Sequence, residues 1–364
     1  MFRTSTMVSK TSWKSKTRAM GVIVASLISI SGPAAFAEDT SSGIGVQNAL
    51  ASVTSINDTN QTNDVLKQVA EVPTDAQGIS AIDANVSGVS ITLPTDPSNA
   101  IVMKSTSGVN LSIEIPNGSS SDNNVVLQNG AVAYDGNDGS STAAIVKTDG
   151  SIQFSTVIAN ENAPSKYSYD FSSPSALTLT MDPQTGSVSV IDANGKWAGG
   201  LAPAWALDSD GKKVKTFYTV DGSSVTQHVD VTQPGITFPV VADPWLGITL
   251  VDHTSWITNP PVGPTLQVYP TLYARQLGLV SDPLSGISQL VADALWSEML
   301  SKTATTGHPA ANTATMKGQL LCHFYFVAKD VRPNIMGILK PSWNLDSNRP
   351  AGNLVQLLLS GCNI

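Results

Sequence analysis

Cysteine is nearly absent from this chain, with two in 364 residues, which excludes a disulfide-scaffolded mini-protein. Glycine and proline, at 28 and 21, are too few for a collagen-like or low-complexity chain. Aromatic side chains are missing over a long stretch, Tyr134 being the only one between Glu38 and Gln153, so the first β segments are expected to pack shallowly. After the N-terminal segment there is no apolar run of the roughly 20 residues that span a bilayer. The sequence also lacks a Gly-x-Ser-x-Gly elbow, a His-Glu-x-x-His pair, a Walker loop and a dinucleotide fingerprint. No cofactor or metal is therefore expected. What is present is apolar material, 41% of residues, enough for one large or two ordinary domains.

The first 37 residues carry the three parts of an export signal: a basic stretch ending at Arg18, an apolar run from Met20 to Ile30, and small residues at Ala35 and Ala37. Cleavage after Ala37 is expected, leaving a chain secreted or associated with the cell wall. The formal charge of −8 becomes −13 once Arg3, Lys10, Lys14, Lys16 and Arg18 are removed. Such an acidic body argues against nucleic acid as a partner, because phosphate binding is built from clustered Lys and Arg. The partner is left open between the cell envelope and an extracellular ligand.

Residues 38–78 are rich in Ser, Thr, Asn, Asp, Gln and Ala, with one weakly amphipathic stretch around Val65 to Val72, and read as a flexible spacer. Residues 79–247 read as a β-rich module. Gly88 to Pro94 alternates polar and apolar residues and is echoed by Gly108 to Pro116. Turn pairs at Asp138-Gly139, Asp149-Gly150, Asn194-Gly195 and Asp221-Gly222 punctuate further short runs, the pattern of an antiparallel sandwich. His228 and Asp230 share a strand face, but a pair without further ligands reads as surface decoration.

Ala163-Pro164 with Tyr167 and Tyr169, Pro203 to Asp208, Thr226 to Asp230 and Pro239 to Pro244 make residues 86–245 resemble a β-rich module of secreted actinobacterial proteins. There the module precedes C-terminal domains of several kinds, and the resemblance implies a carrier or presentation role.

Residues 251–364 differ in character: a small α+β domain is expected, with a net charge of +1 against −14 for residues 38–250. Leu266 to Tyr269 reads as a strand, Thr271 caps a short helix ending at Gly278, and Asp282-Pro283 opens a longer helix to about Lys302. Leu284, Ile287, Val291, Ala294, Leu295 and Met299 share one face of that helix, with Glu298 in its middle. A carboxylate placed there needs a cation, for which Arg275 or Arg349 is the expected partner. Gln319 to Ala328 reads as a strand, sending Leu320, Cys322, Phe324 and Phe326 to the core and Gln319, His323 and Tyr325 outward. Pro350 opens a last helix through Leu359. Cys322 and Cys362 are expected to be bridged, as two cysteines in an exported chain usually are. A catalytic Cys322 beside His323 is disfavoured because neighbours on a strand point to opposite faces.

Tyr269-Pro270-Thr271 with Arg275, Trp296-Ser297-Glu298, Met316 with Gln319, Cys322-His323, Trp343-Asn344-Leu345 with Arg349-Pro350, and Cys362-Asn363 resemble a domain of unknown function at the C-termini of secreted actinobacterial proteins. That resemblance covers residues 256–364 and implies no activity. The residues allow two functions. The first is a non-catalytic binding or presentation module in which Arg275, Glu298, His323 and Arg349 make structural pairs. The alternative is a small exported hydrolase with His323 as general acid or base, Glu298 as its carboxylate and Arg275 or Arg349 stabilising an anion.

Overall fold

The structure is a computed structural model that describes residues 43–56, 64–122, 124–128, 130–259, 263–327, 329 and 340–362. The export signal expected over residues 1–37 lies outside the described residues. Within the segment expected to be a spacer, Gly43–Ser55 forms helix α1. Its Val46, Ala49, Leu50 and Val53 recur at helical spacing and are buried, so this Ala- and Val-bearing stretch is held by tertiary packing where its polar composition suggested none.

Strands β1 (Ser80–Val86), β2 (Val89–Pro94), β3 (Ile101–Ser105) and β4 (Asn110–Glu114) are a run of antiparallel neighbours. So are β5 (Val125–Gln128), β6 (Ala131–Asp135), β7 (Ser140–Val146) and β8 (Ile152–Ile158). The chain continues through β9 (Lys166–Ser172), β10 (Leu177–Met181), β11 (Val188–Asp192), β12 (Trp197–Leu201) and β13 (Trp205–Asp208). Then come β14 (Thr216–Asp221), β15 (Ser224–Val229), β16 (Val240–Asp243) and β17 (Trp245–Gly247). One sheet has seven strands in the order β1-β2-β3-β4-β9-β15-β14. The other has ten, β10-β11-β12-β17-β8-β7-β6-β5, with β16 also on β8 and β13 on β16.

The two sheets face each other across one core, as the alternating patterns predict. On β9, Tyr167, Tyr169 and Phe171 point in while their neighbours are exposed. Strands β7 and β8 are buried along their whole length because they are covered on both faces. Ala144, Val146, Phe154 and Ile158 meet the sandwich core, whereas Ala143, Ile145 and Val157 meet α1. The first strands are not shallowly packed: Ile91, Leu93, Leu111 and Ile113 are fully buried, and aromatic bulk from β6, β8 and β9 fills the space their own small side chains leave. The Asp149-Gly150 turn between β7 and β8 needs glycine twice over, for its φ of +78° and because a Cβ would meet the Val86 carbonyl oxygen at 2.6 Å.

After β17 the chain forms a hairpin of β18 (Val251–Asn259) and β19 (Gly263–Pro270), joined later by β20 (Trp343–Asp346) in the order β18-β19-β20. Helices α2 (Leu272–Val280), α3 (Gly286–Lys302), α4 (Ala314–Cys322) and α5 (Leu354–Leu359) complete this part. Thr271 caps α2 as its sequence predicts, its hydroxyl accepting the Ala274 N–H at 3.0 Å. The opening of α3 differs from expectation. Ser285, not Asp282, is its cap, and Asp282-Pro283 lies in the turn before it.

The larger correction concerns residues 319–328. Gln319 to Cys322 closes α4, and His323–Val327 is a π-helical turn continuing it. Thr313, whose hydroxyl accepts the Met316 N–H, starts the helix. Gln319, Leu320, Cys322, His323, Phe324 and Tyr325 are all buried, so the apparent two-residue alternation has no exposed face to mark. Cys322 and Cys362 are nevertheless disulfide-bonded, tying α4 to the end of α5.

Trp197, Ala202 and Trp245 of the β-rich part share a core with Leu266, Leu295, Met316 and Trp343. Polar bonds join the same parts: Asp149 Oδ2 accepts the Tyr273 N–H at 3.0 Å, and the Ser285 hydroxyl donates to Asp182 at 2.6 Å. All of these contacts lie within one compact unit of the chain. No helix among the described residues is long and apolar enough to cross a membrane.

Candidate functional site

The four polar residues singled out in the C-terminal part are held by separate structural partners. His323 is fully buried, its ring parallel to Trp343 at 6.3 Å, and its Nε2–H donates to the Asn344 carbonyl at 3.2 Å. Arg349 donates from Nε to Asp346 at 3.1 Å, and Asp346 also accepts the Thr265 hydroxyl at 2.7 Å. Burial lowers Arg275 to about 10, and its guanidinium donates to the carbonyls of Lys340 and Pro341.

Glu298 does not pair with either arginine. Its Oε1 lies 2.9 Å from Lys302 Nζ, and its Oε2 accepts the Leu250 N–H at 2.7 Å. The Glu-x-x-x-Lys spacing places the cation one helical turn C-terminal to the carboxylate, the favourable order for such a pair, and was the signal to follow. Lys302 also donates to the Val251 and Asp252 carbonyls, so the pair fastens α3 to the start of β18. Glu298→Ala should therefore cost about 2 kcal/mol, since it strands the Leu250 N–H and a half-screened lysine. Glu298→Gln should cost less, because the amide oxygen still accepts from Leu250. Urea denaturation of the two variants checks the order, and equal losses would count against the Leu250 bond.

The His228 and Asp230 pair is spoken for as well. His228 stacks on Phe217 at 4.7 Å and shares a 2.8 Å hydrogen bond with Thr219, while Asp230 accepts from Thr232. No group of three or more potential metal ligands occurs among the described residues.

A cleft of about 490 Å³ lies elsewhere, where β13, β16 and β17 meet α2. Trp205, Trp245, Asp243, Gln276, Lys213 and Lys329 are among its walls. Asp243 was visible in the sequence only as part of the Pro-Val-Val-Ala-Asp-Pro run. The structure buries it to 1% exposure, with Oδ2 accepting the Gln153 amide at 3.0 Å. Trp205, its partner across β13 and β16, turns its indole N–H to the same carboxyl as a hydrogen-bond donor, and both this N–H and Oδ1 are closed to solvent.

Burial pushes the Asp243 carboxyl up to about 7, against the opposing pull of Gln153, Lys147 and Trp205. Tyr218 on β14 donates to the Asp243 backbone carbonyl, and Lys213 and Lys329 face the same cleft. Between the unfolded carboxyl's 3.8 and about 7 the folded chain holds the extra proton, so this group's stabilisation is complete below 3.8 and is lost as pH rises through 7. Asp243→Asn is expected to remove a slope of at most about 1.4 kcal/mol per pH unit over that window. Denaturation midpoints measured from pH 4 to 8 check it, and parallel curves for variant and parent would refute the buried titration.

Residues 251–364 match the family described as Protein of unknown function (DUF2599). Uncharacterized protein Rv0477 of Mycobacterium tuberculosis and Uncharacterized protein Mb0487 of Mycobacterium bovis are each 38% identical to this chain over 114 residues. Those residues are 31% of this chain and 65% of either relative, so the chain spans just under two thirds of the length of the curated relatives it matches. The C-terminal part is thus similar to a domain of unknown function with mycobacterial relatives.

Proposed function

We propose that this is a non-catalytic binding module acting outside the cytoplasmic membrane, with the β-rich residues 79–247 and the C-terminal residues 251–364 jointly framing its ligand cleft. The cleft carries the reading: its volume lies within the roughly 300–1,000 Å³ of small-molecule sites, and its walls are largely apolar around a few convergent polar groups. The proposed hydrolase residues favour the same reading, because His323 and Glu298 are each used by main-chain partners in the fold. Export is supported by the N-terminal signal pattern and by the buried Cys322–Cys362 bond, which persists in oxidising compartments.

A fragment screen read by NMR of the tryptophan indole N–H signals tests the binding site. Hits should shift Trp205 and Trp245 together, whereas hits confined to Trp343, or ester turnover abolished by His323→Ala, would overturn the reading in favour of the hydrolase. N-terminal sequencing of secreted protein should begin at Glu38; retention of residues 1–37 in the secreted chain would refute the cleavage.

A further inference from the structure

The polar side chains on the floor of the cleft direct their hydrogen bonds into the protein. Trp205 is partly exposed, but its indole N–H turns to the buried Asp243 carboxyl, and Trp245 donates from Nε1 to the Ser151 hydroxyl at 2.8 Å. Gln276, 6% exposed on α2, has a partner within the fold. Asp243 is itself closed to solvent, its carboxyl accepting from Gln153 and Trp205. The two tryptophans therefore offer the cleft ring carbon and no donor.

Pro203, Ala204, Leu279 and Val280 are half-buried where they line the same cleft and add aliphatic surface. A ligand group with donors or acceptors placed against these walls would lose its hydration without gaining a partner. The body that fits is hydrocarbon, and removal of its surface from water supplies the driving force.

The charged side chains of the lining point to a different head. Lys213 and Lys329 are exposed on it, and the lining's one acidic residue, Asp243, is closed to solvent, so a ligand entering from solvent meets positive charge on a chain that is otherwise acidic. The main chain of Lys213 is fixed by a bridge to Leu207 and by the Gln233 amide, which donates to its carbonyl at 3.1 Å. Its neighbour Lys212 donates to the Pro234 and Gly235 carbonyls, whereas the Lys213 ammonium has no carboxylate partner among the described residues. Lys329 donates to the Ser281 carbonyl and keeps further N–H groups for a ligand. A carboxylate suits two such ammonium groups, because its hydrogen bonds with them are charge-assisted.

We propose, resting on the binding reading above, that the cleft takes a lipophilic monocarboxylate, with its hydrocarbon body between the indole rings and α2 and its carboxylate at Lys213 and Lys329. Head and body are recognised by different residues, which makes the assignment divisible by experiment.

Titration of the full chain with octanoate, 1-octanol, octylammonium and acetate, followed by calorimetry and by the indole N–H signals of Trp205 and Trp245, tests it. Octanoate should bind about 10-fold more tightly than octanol, which lacks the charge, or acetate, which lacks the body, and octylammonium should bind more weakly than octanol. Lys213→Gln should bring octanoate down to the level of octanol, and salt raised from about 0.05 to about 0.5 M should weaken octanoate alone. Leu279→Asn should weaken octanoate and octanol together. Binding of octanol or octylammonium equal to that of octanoate overturns the anionic head, and binding of acetate equal to that of octanoate overturns the hydrocarbon body; either outcome keeps the cleft as a binding site. If octanoate moves neither Trp205 nor Trp245 while circular dichroism reports a folded chain, the assignment falls, and if the fragment screen is also silent there the binding reading falls with it. Repeating the titration with 2-naphthoate distinguishes the two forms of body, a tighter naphthoate identifying a flat ring and a tighter octanoate an acyl chain.

Discussion

Lys147→Met is expected to lower stability by roughly 3 kcal/mol and to loosen the chain before β1. Lys147 is 1% exposed, at the end of β7, and its ammonium donates to three main-chain carbonyls: Asp64 at 3.1 Å, Val65 at 2.6 Å and Lys67 at 3.0 Å. It also lies 5.6 Å from the centre of the Trp245 ring, within reach of a cation–π contact. The segment it holds pairs with the sheet through Ala70 N–H to the Val146 carbonyl and Thr148 N–H to the Gln68 carbonyl, and its Val65 shares a core with α1. Methionine matches the stem but supplies no donor, so three carbonyls lose their partner in a place that water does not reach. Part of that loss is offset, because a buried ammonium no longer has to be desolvated. Desolvation lowers Lys147 to about 8 against the pull of Asp243, Asp149 and Asp64. Its burial penalty therefore fades as pH rises from about 8 toward the unfolded value of 10.5. Hydrogen exchange should show faster opening at residues 64–72 than elsewhere, and a denaturation midpoint equal to the parent's would refute the anchoring role.

This anchor was illegible in the sequence for a physical reason. A lysine at a strand end ordinarily reaches solvent, and nothing local to Thr148-Asp149-Gly150 signals that a segment some 80 residues earlier folds over it. The sandwich was legible, because the alternation in Gly88 to Pro94 and in Gly108 to Pro116 is imposed by a sheet with one face inward. Where burial becomes complete the pattern fails. Strands β7 and β8 show no alternation in exposure, and α4 with its π-helical turn hides a helix inside a run that mimics a strand.

The site divides along the same line. Glu298 was legible as a carboxylate in need of a cation, and the structure supplies one, but from the next turn of its own helix rather than from an arginine elsewhere. Asp243 and Trp205 were visible only as members of the runs Pro239 to Pro244 and Pro203 to Asp208, since their significance comes from a buried carboxyl and an indole N–H brought together across β13 and β16. Such a meeting is fixed by strand register, and register is set by the whole sheet.

Replacing both cysteines, Cys322→Ala with Cys362→Ala, should cost about 4 kcal/mol, with a range of roughly 2–5. The two residues are 40 apart in sequence, and opening that loop restores chain entropy to the unfolded state. The native state loses something too. Cys322 and Cys362 are buried with Val327 and Leu357 in a small cluster of their own, apart from the main C-terminal core. Helix α5 is six residues long and exposes Val355 and Leu359, so it has little besides this cluster and the bond to hold it. The loss should consequently be uneven. Amides of 354–360 should exchange much faster in the double variant, while those of the sandwich, whose core lies beyond the disulfide loop, keep their protection. Titration of the denatured, unreduced parent should find no free thiol. Protection of α5 that survives loss of the bond would show that packing alone secures it, and would place the stabilisation entirely in the unfolded state.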